Sequence, residues 1–470
     1  MRPAAPGAWQ HERVINGGVS FWWQQLGAPA PRESLDGDLS CDVCIVGAGL
    51  SGLWTAYHLA EADPSLDIVV LEAEFAGFGA SGRNGGWLSA ELSGSKERYA
   101  ATHGRAGVRA LVGAMEAAVD DVIEVCRAEG IDADIVKDGV LYVARSEAQL
   151  VRLREGLADD AAWGIGEEHQ RELTRDELDA RLVVGAARGA TFSPHCARVQ
   201  PAKLVRGVAE AVERRGVRIL ERTRATRIEP GVVTTERGTV RAPRVLRCLE
   251  GYTAGIAGQR RTWLPMNSAM IVTEPLSDAA WSEIGWAGAE LLGDTANAYC
   301  YAQRTADGRI ALGGRGIPYR FGSRTDVDGR TQDWTVESLT ATLHDMFPAT
   351  RSTRVDHAWC GVLGVPRDWC ASVTYDPAQG VGWAGGYVGS GLTTTHLAGR
   401  TLADLALGRE SELTELPWVN RSVRRWEPEP LRWLGVRAMY GLYREADRRE
   451  DRGLSQPSRL ARIGNALTGR

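Results

Sequence analysis

Gly47, Gly49 and Gly52 form a G-x-G-x-x-G triplet between an apolar run, CDVCIVGAG, and a segment with helical spacing, LSGLWTAYHLAEA. A second apolar run, LDIVVLEAE, follows, and Glu72 closes it about twenty residues after the last of those glycines. Strand, glycine turn, helix, strand and terminal acid in that order describe a βαβ unit built to hold a dinucleotide. Gly47 allows the tight turn, Gly49 lets the backbone approach a pyrophosphate, and Gly52 permits close contact of helix and strand. Leu50 and Ser51 begin the helix, whose free N–H groups and positive dipole end face the phosphates. Glu72, with Ala73 beside it, accepts hydrogen bonds from the adenosine ribose. An acid there repels the 2′-phosphate of NADP, while FAD and NAD both stay open.

The 470 residues are 44% hydrophobic with a net charge of -5, enough for one large core or for two domains sharing an interface. Basic residues are mixed with acidic ones, so no stripe suited to nucleic acid forms and no nucleic-acid partner is expected. The N-terminal stretch lacks the apolar centre of a signal peptide, and no run is long and apolar enough to span a bilayer. Eight cysteines without a repeating interval suit a reducing compartment, so the cytoplasm is expected. Cys41 and Cys44 read as two buried strand cysteines, because residues three apart on a strand point to opposite faces. A metal or redox role is therefore not expected of them, and no metal site is expected elsewhere.

Residues 1–40, rich in Pro, Gly and Trp, read as an irregular arm on the surface of the first domain. An α/β pattern begins at Cys41, is interrupted, resumes through PAKLVRGVAEAVERRGVRIL, and closes with GVGWAGGYVGSGLTTTHLAGRTLADLALG. Residues 262–358 alternate short strands and turns. The fold class is thus α/β, with a Rossmann-like domain (1–95, 186–262 and 359–470) and an inserted, mostly antiparallel sheet domain (96–185 and 263–358). The Arg-rich segment from residue 421 alternates with acids and reads as a solvated helix packed on its own protein.

After Glu72 comes FGASGRNGGW, residues 78–87, which resembles the loop that follows the ribose-binding acid in the glycine/D-amino acid oxidase superfamily. The match is most similar to the gamma-glutamylputrescine oxidase-like branch, which acts on amines. The resemblance implies a glutathione reductase-like FAD-binding domain of the D-amino acid oxidase type, and makes Gly79, Ser81, Arg83, Asn84, Gly85 and Gly86 flavin-contacting candidates. The GSGLT turn resembles the family's closing strand, turn and helix. It implies that Gly389, Ser390, Gly391, Leu392 and Thr393 bring a helix start to the flavin edge that gains negative charge on reduction. PAKL at 201–204, LPMNSAMIVTEPL and DGRIALGGR at 307–315 also match, and TRAT at 223–226 implies that Ala225 passes the adenine.

Three departures bear on chemistry. Monomeric sarcosine oxidases carry a lysine, where Thr393 stands here, that helps hold a substrate carboxylate. Their oxygen-activating lysine aligns loosely with Ala311, so fast reaction with oxygen is not implied, and oxygen or another acceptor takes the electrons. Cys360 falls about where those oxidases tether FAD through a thioether. A buried, unreacted cysteine and non-covalent FAD are expected, with Cys360 the candidate should a covalent link exist.

The resemblance implies hydride transfer from the α-carbon of a primary or secondary amine to flavin N5, the imine then being hydrolysed. Trp87, Tyr252, Tyr299, Tyr301, Arg304 and Tyr387 flank the matching motifs and are the candidates for the substrate pocket. No catalytic base is assigned, and His396 reads as a packing residue of the closing helix. A flavin monooxygenase would need a Gly-Asp motif before that helix, whereas Gly293-Asp294 lies in the strand-rich insertion. A non-catalytic dinucleotide-binding module would need neither the closing turn nor a second sheet.

Overall fold

A computed structural model describes residues 14–314, 319–325 and 328–468. The first of two principal sheets has six strands in the order Arg218–Leu220, Ile68–Leu71, Val43–Val46, Arg244–Arg247, Val381–Gly385 and Ser372–Asp376. All neighbours are parallel except the last pair. VCIV and IVVL are buried at every position, as strands covered by helices on both faces must be.

The second sheet has nine strands: Ile15–Asn16, Val355–Val365, Leu264–Thr273, Ile310–Gly314, Cys300–Arg304, Leu291–Asp294, Val140–Ala144, Gly189–Ser193 and Arg171–Glu172. It is antiparallel except where Ile15–Asn16 joins Val355–Val365 and Leu291–Asp294 joins Val140–Ala144. The architecture is the α/β class expected, a Rossmann-like sheet with an inserted, mostly antiparallel one, and the chain crosses between the two repeatedly. Among the described residues no helix is long and apolar enough to cross a membrane.

Two glycine contacts set the distances. The fingerprint helix Leu50–Ala62 sits so close to its own turn that a Cβ on Gly52 would lie 2.0 Å from the Gly47 carbonyl oxygen. The closing helix Gly391–Leu407 meets it at Gly399, where a Cβ would lie 2.8 Å from the backbone N of Thr55 and the Cβ of Trp54. His396 is buried in the same seam, 4.9 Å ring to ring from both Trp54 and His58.

The N-terminal arm differs from its sequence reading. Residues 1–13 lie outside the described residues, but Phe21–Leu26 form a helix capped by Ser20, and Trp22 is only 1% exposed. Trp22 meets Trp359 of the larger sheet edge to face at 5.8 Å. Three consecutive aromatic residues bury too much apolar surface to remain on the outside. The cysteine reading also changes. Cys41 precedes the strand and is half-buried, so strand alternation does not govern it, and it packs with Cys44 on one apolar cluster, its thiol donating to Val43 O at 3.4 Å.

The C-terminal segment is helical from Leu431 to Asp451 and docks through acids. Buried Glu450 takes Arg152 at 2.7 Å through both oxygens, and Asp447 accepts the Asn297 and Ala298 N–H groups at 2.8 and 2.9 Å.

Trp22→Ala is expected to destabilise the protein by about 3–5 kcal/mol, the range for removing a fully buried large aromatic. Urea denaturation measures this, and a loss below about 1 kcal/mol would show that the arm is not part of the core.

Candidate active site

A cavity of about 640 Å³ opens at the carboxyl ends of the parallel strands, bordered by Val46, Leu71 and Cys248. Ligands of open α/β sheets bind at this position. Gly47 turns the chain there with φ +108°, and a Cβ on it would lie 2.5 Å from the Cys248 carbonyl oxygen. Gly49 caps the fingerprint helix with no side-chain hydrogen bond, and the Leu50 N–H donates to Ser81 Oγ at 2.8 Å. Glu72 is held at the end of its strand by N–H donors, Ala48 to Oε2 at 2.9 Å and Glu74 to Oε1 at 3.0 Å. Burial raises its carboxyl above the ordinary value, and those donors oppose the shift.

The loop 78–86 forms the floor beside it, and its carbonyls are fastened from several elements. Ser20 Oγ donates to Gly82 O at 2.7 Å, and the Trp22 and Trp359 indoles donate to Asn84 O and Arg83 O, both at 2.8 Å. Gln303 Nε2 donates to Gly85 O at 2.6 Å. Asn84 turns back on its own loop, donating to Ser81 O and accepting from the Gly86 N–H, both at 2.8 Å. Arg83 is buried, with its Nε donating to Phe78 O at 2.6 Å and its guanidinium 4.3 Å from the Phe78 ring centre. Ser20 and Trp22 escape motif reading, since only the FWW run marks them.

On the opposite wall the closing helix begins at Gly391, with Ser390 making no side-chain cap and Gly389 at φ +116°. Ser51 Oγ donates to Tyr387 Oη at 3.1 Å, joining the two helix starts. Glu250, unmarked by any motif, gathers this wall. Its Oε1 accepts the Gly386 and Tyr387 N–H groups at 2.7 and 3.2 Å, and its Oε2 accepts that of Gly364 at 2.7 Å. Burial pushes its carboxyl up to about 7, against the pull of those three donors. The sequence signal is an acid in the tight turn after an apolar strand.

Of the dinucleotide candidates, Gly47, Gly49, Leu50, Ser51, Glu72, Ala73, Gly79, Ser81, Arg83, Asn84, Gly85, Ala225, Gly389, Ser390, Gly391 and Leu392 all line this one cavity. Gly52, Gly86 and Thr393 lie behind its wall: Gly52 against the turn, Gly86 where a Cβ would strike Gln303 and Val199, Thr393 fully buried in its helix. Trp87, Tyr252, Tyr299, Tyr301 and Tyr387 line it as well. Arg304 does not. It lies three residues beyond Tyr301 on one strand, so it points to the other face, with its guanidinium 4.3 Å over Trp281.

Tyr301 fits between two glycines: a Cβ on Gly85 would lie 2.7 Å from its Cε2, and one on Gly313 2.2 Å from its Cζ. Its hydroxyl shares a 2.9 Å hydrogen bond with Ser268. Glu91, Tyr142 and Arg152, which no motif marks, also line the cavity, as does Asp294. The Cys360 thiol donates to Arg330 O at 3.3 Å and packs in the core of the larger sheet, while its neighbour Gly361 lines the cavity. Ala311 is in the core, and Gly293-Asp294 sits beside Tyr142 and Trp87 rather than before the closing helix.

These residues fit FAD. Two helix starts without side-chain caps face one cavity, which suits an anionic dinucleotide. Asn267, buried to 8% exposure on the same wall, has an amide oxygen with no donor among the described residues, and a ligand N–H would satisfy it. Among the described residues no group of His, Cys, Asp and Glu could hold a metal ion.

Residues 42–405 match the DAO family, described as FAD dependent oxidoreductase. Gamma-glutamylputrescine oxidoreductase of Escherichia coli (strain K12) is 33% identical over 414 residues, covering 83% of this chain and 89% of that protein. Glycine oxidase of Bacillus licheniformis is 23% identical, over 78% of this chain and 93% of its own. The crystal structure of glycine oxidase from Geobacillus kaustophilus superposes with a TM-score of 0.68 at 21% identity, covering 82% of this chain and all of that one.

Glu250 gives this wall a pH dependence. Between its ordinary 4.5 and about 7 the folded protein keeps a proton that the unfolded chain has released, so stability falls as pH rises through that window and levels off above it. Glu250→Gln is expected to remove a decline on the order of 3 kcal/mol. Denaturant midpoints of both proteins across that window measure it, and parallel pH profiles would refute it.

Proposed function

The chain belongs to the DAO family of FAD dependent oxidoreductases, and from that premise we propose that it oxidises the C–N bond of a primary or secondary amine. FAD, when bound, would supply the chemistry by taking a hydride from the carbon next to nitrogen, leaving an imine that water could hydrolyse to a carbonyl compound and an amine. The observation that carries this reading is the aromatic chamber of Trp87, Tyr142, Tyr299 and Tyr301, continuous with the two helix starts and the loop 78–86. Around Tyr301 the wall carries Ser268 and Asn267 and no charge, so burial there disfavours the ammonium and favours the neutral amine that can react.

The residues divide the remaining tasks. The start of the closing helix offers N–H groups and a positive dipole end to negative charge arriving on the cofactor. Ser268 orients the Tyr301 hydroxyl, and the fastened loop keeps substrate and cofactor in register. The smaller sheet forms the cofactor unit and the larger one the substrate unit. FAD is held without a covalent bond, a reading supported by the Cys360 thiol lying in the core rather than on the cavity wall. Oxygen or another acceptor would take up the electrons. The eight cysteines, all reduced, support the cytoplasm, and the mixed charge supports a small molecule rather than nucleic acid as partner. The place of Gly293-Asp294 beside the chamber disfavours the monooxygenase alternative.

Purified protein mixed anaerobically with an amine panel, without NAD(P)H, should lose its yellow colour and yield an aldehyde or keto acid. Bleaching by NADPH alone, with an oxygenated product once air enters, would overturn the reading. Acid precipitation should release the flavin into the supernatant. Colour that stays in the wild-type pellet and leaves it in Cys360→Ser would instead show a thioether.

A further inference from the structure

The part of the cavity beyond Tyr301 holds a charge imbalance that amine oxidation alone does not require. Glu91 and Asp294 both line it. Tyr142 Oη donates to Glu91 Oε2 at 3.1 Å, and the Cys300 N–H donates to Asp294 Oδ1 at 3.0 Å. Among the described residues neither carboxylate is ion-paired with a lysine or arginine, since Arg145 pairs with Asp345 and Arg152 with Glu450. Arg152 is on the same wall, but Glu450 neutralises it. Burial raises both carboxyls above their ordinary values, against the pull of Tyr142 at Glu91 and of Arg145 at Asp294, so a cation entering here would favour their charged form.

Aromatic rings connect Tyr301 to Glu91. Tyr301 meets Trp87 edge to face at 6.0 Å, and Trp87 meets Tyr142 in the same way at 6.1 Å. Ring faces attract cations, most strongly when a carboxylate is close by. The other end of this row is neutral. Ser268 bonds Tyr301 there, and Asn267 carries the amide oxygen that has no donor among the described residues. A reacting nitrogen must be neutral, and a carboxylate touching it would hold it as the ammonium. Glu91, two rings away from Tyr301, matches a different charge.

We propose that Glu91, with the Tyr142 hydroxyl and the Trp87 ring, binds a second, non-reacting ammonium, so that the substrate is a diamine or longer polyamine oxidised at one end. The inference rests on the amine-oxidation reading and names the substrate class for it. A plain alkyl amine leaves Glu91 without its partner, and a substrate ending in a carboxylate meets repulsion there.

The FAD-loaded enzyme and its Glu91→Gln variant are compared in two assays. In turnover, the ratio of kcat/KM for octane-1,8-diamine over octylamine should fall at least about tenfold in the variant, mainly through KM for the diamine. In calorimetry, the bis(trimethylammonium) derivative of the same diamine, which has no nitrogen lone pair to oxidise, should bind the variant at least about tenfold more weakly. Tyr142→Phe keeps the ring and loses the bond to Glu91, and should fall between the two. A ratio and a Kd both within about twofold of wild type in Glu91→Gln would overturn the proposal. If no amine of either kind reduces the flavin, the amine-oxidation reading fails, and the binding assay alone decides the subsite.

Discussion

The active site depends on how closely two helices approach one sheet and each other. Gly52 removes the side chain that would keep the fingerprint helix off its own turn, and Gly399 removes the one that would part it from the closing helix. With both contacts made, the helix starts converge on one cavity, and Ser51 can reach Tyr387. A methyl group at either glycine would force backbone apart, because packed interiors have little room to yield. The helix dipoles act at the cavity only because these two positions have no Cβ.

What was legible in the sequence was local. The βαβ unit, Glu72, the loop from Gly79 to Gly85 and the turn from Gly389 to Leu392 are short runs whose chemistry depends on immediate neighbours, and they meet at one cavity. Residues that work across long sequence distances left little trace. Glu250 is joined to Gly364 and Gly386, more than a hundred positions along the chain, and an acid in a turn after a strand does not name those distant partners. Ser20 and Trp22, which fasten the loop, sit in a stretch that reads as a surface arm, because the Pro and Gly around them mask a helix of under two turns. Arg304 shows a different limit. Proximity to a motif does not fix the face of a strand, and parity on the strand puts Gln303 with Tyr301 toward the loop while Arg304 turns away.

Electrostatics divides the cavity along its length. Helix starts at the glycine turns present positive dipole ends without side-chain charge, whereas the far wall carries Glu91 and Asp294. Between them lie aromatic and neutral polar groups, a setting in which an amine loses its proton more readily than in water. The one cavity thus offers positive dipole ends to an anionic group and carboxyls to a cationic one, with neutral walls between them.

The order of strands in the smaller sheet also dictates a timetable. Val43–Val46, at its centre, pairs with Arg244–Arg247, which in turn needs Val381–Gly385 beside it. The loop 78–86 receives Trp22 from the start of the chain and Trp359 from near its end. On the ribosome, where the N-terminal part emerges first, the fingerprint is made early, whereas the closing helix Gly391–Leu407 that completes its cavity comes much later. A nascent chain that has not yet released Val381–Gly385 and the helix Gly391–Leu407 lacks one wall of the cavity, so cofactor loading follows their synthesis. Until then the apolar strands at the centre of the sheet wait with open edges, the state in which a protein of this topology is most exposed to aggregation.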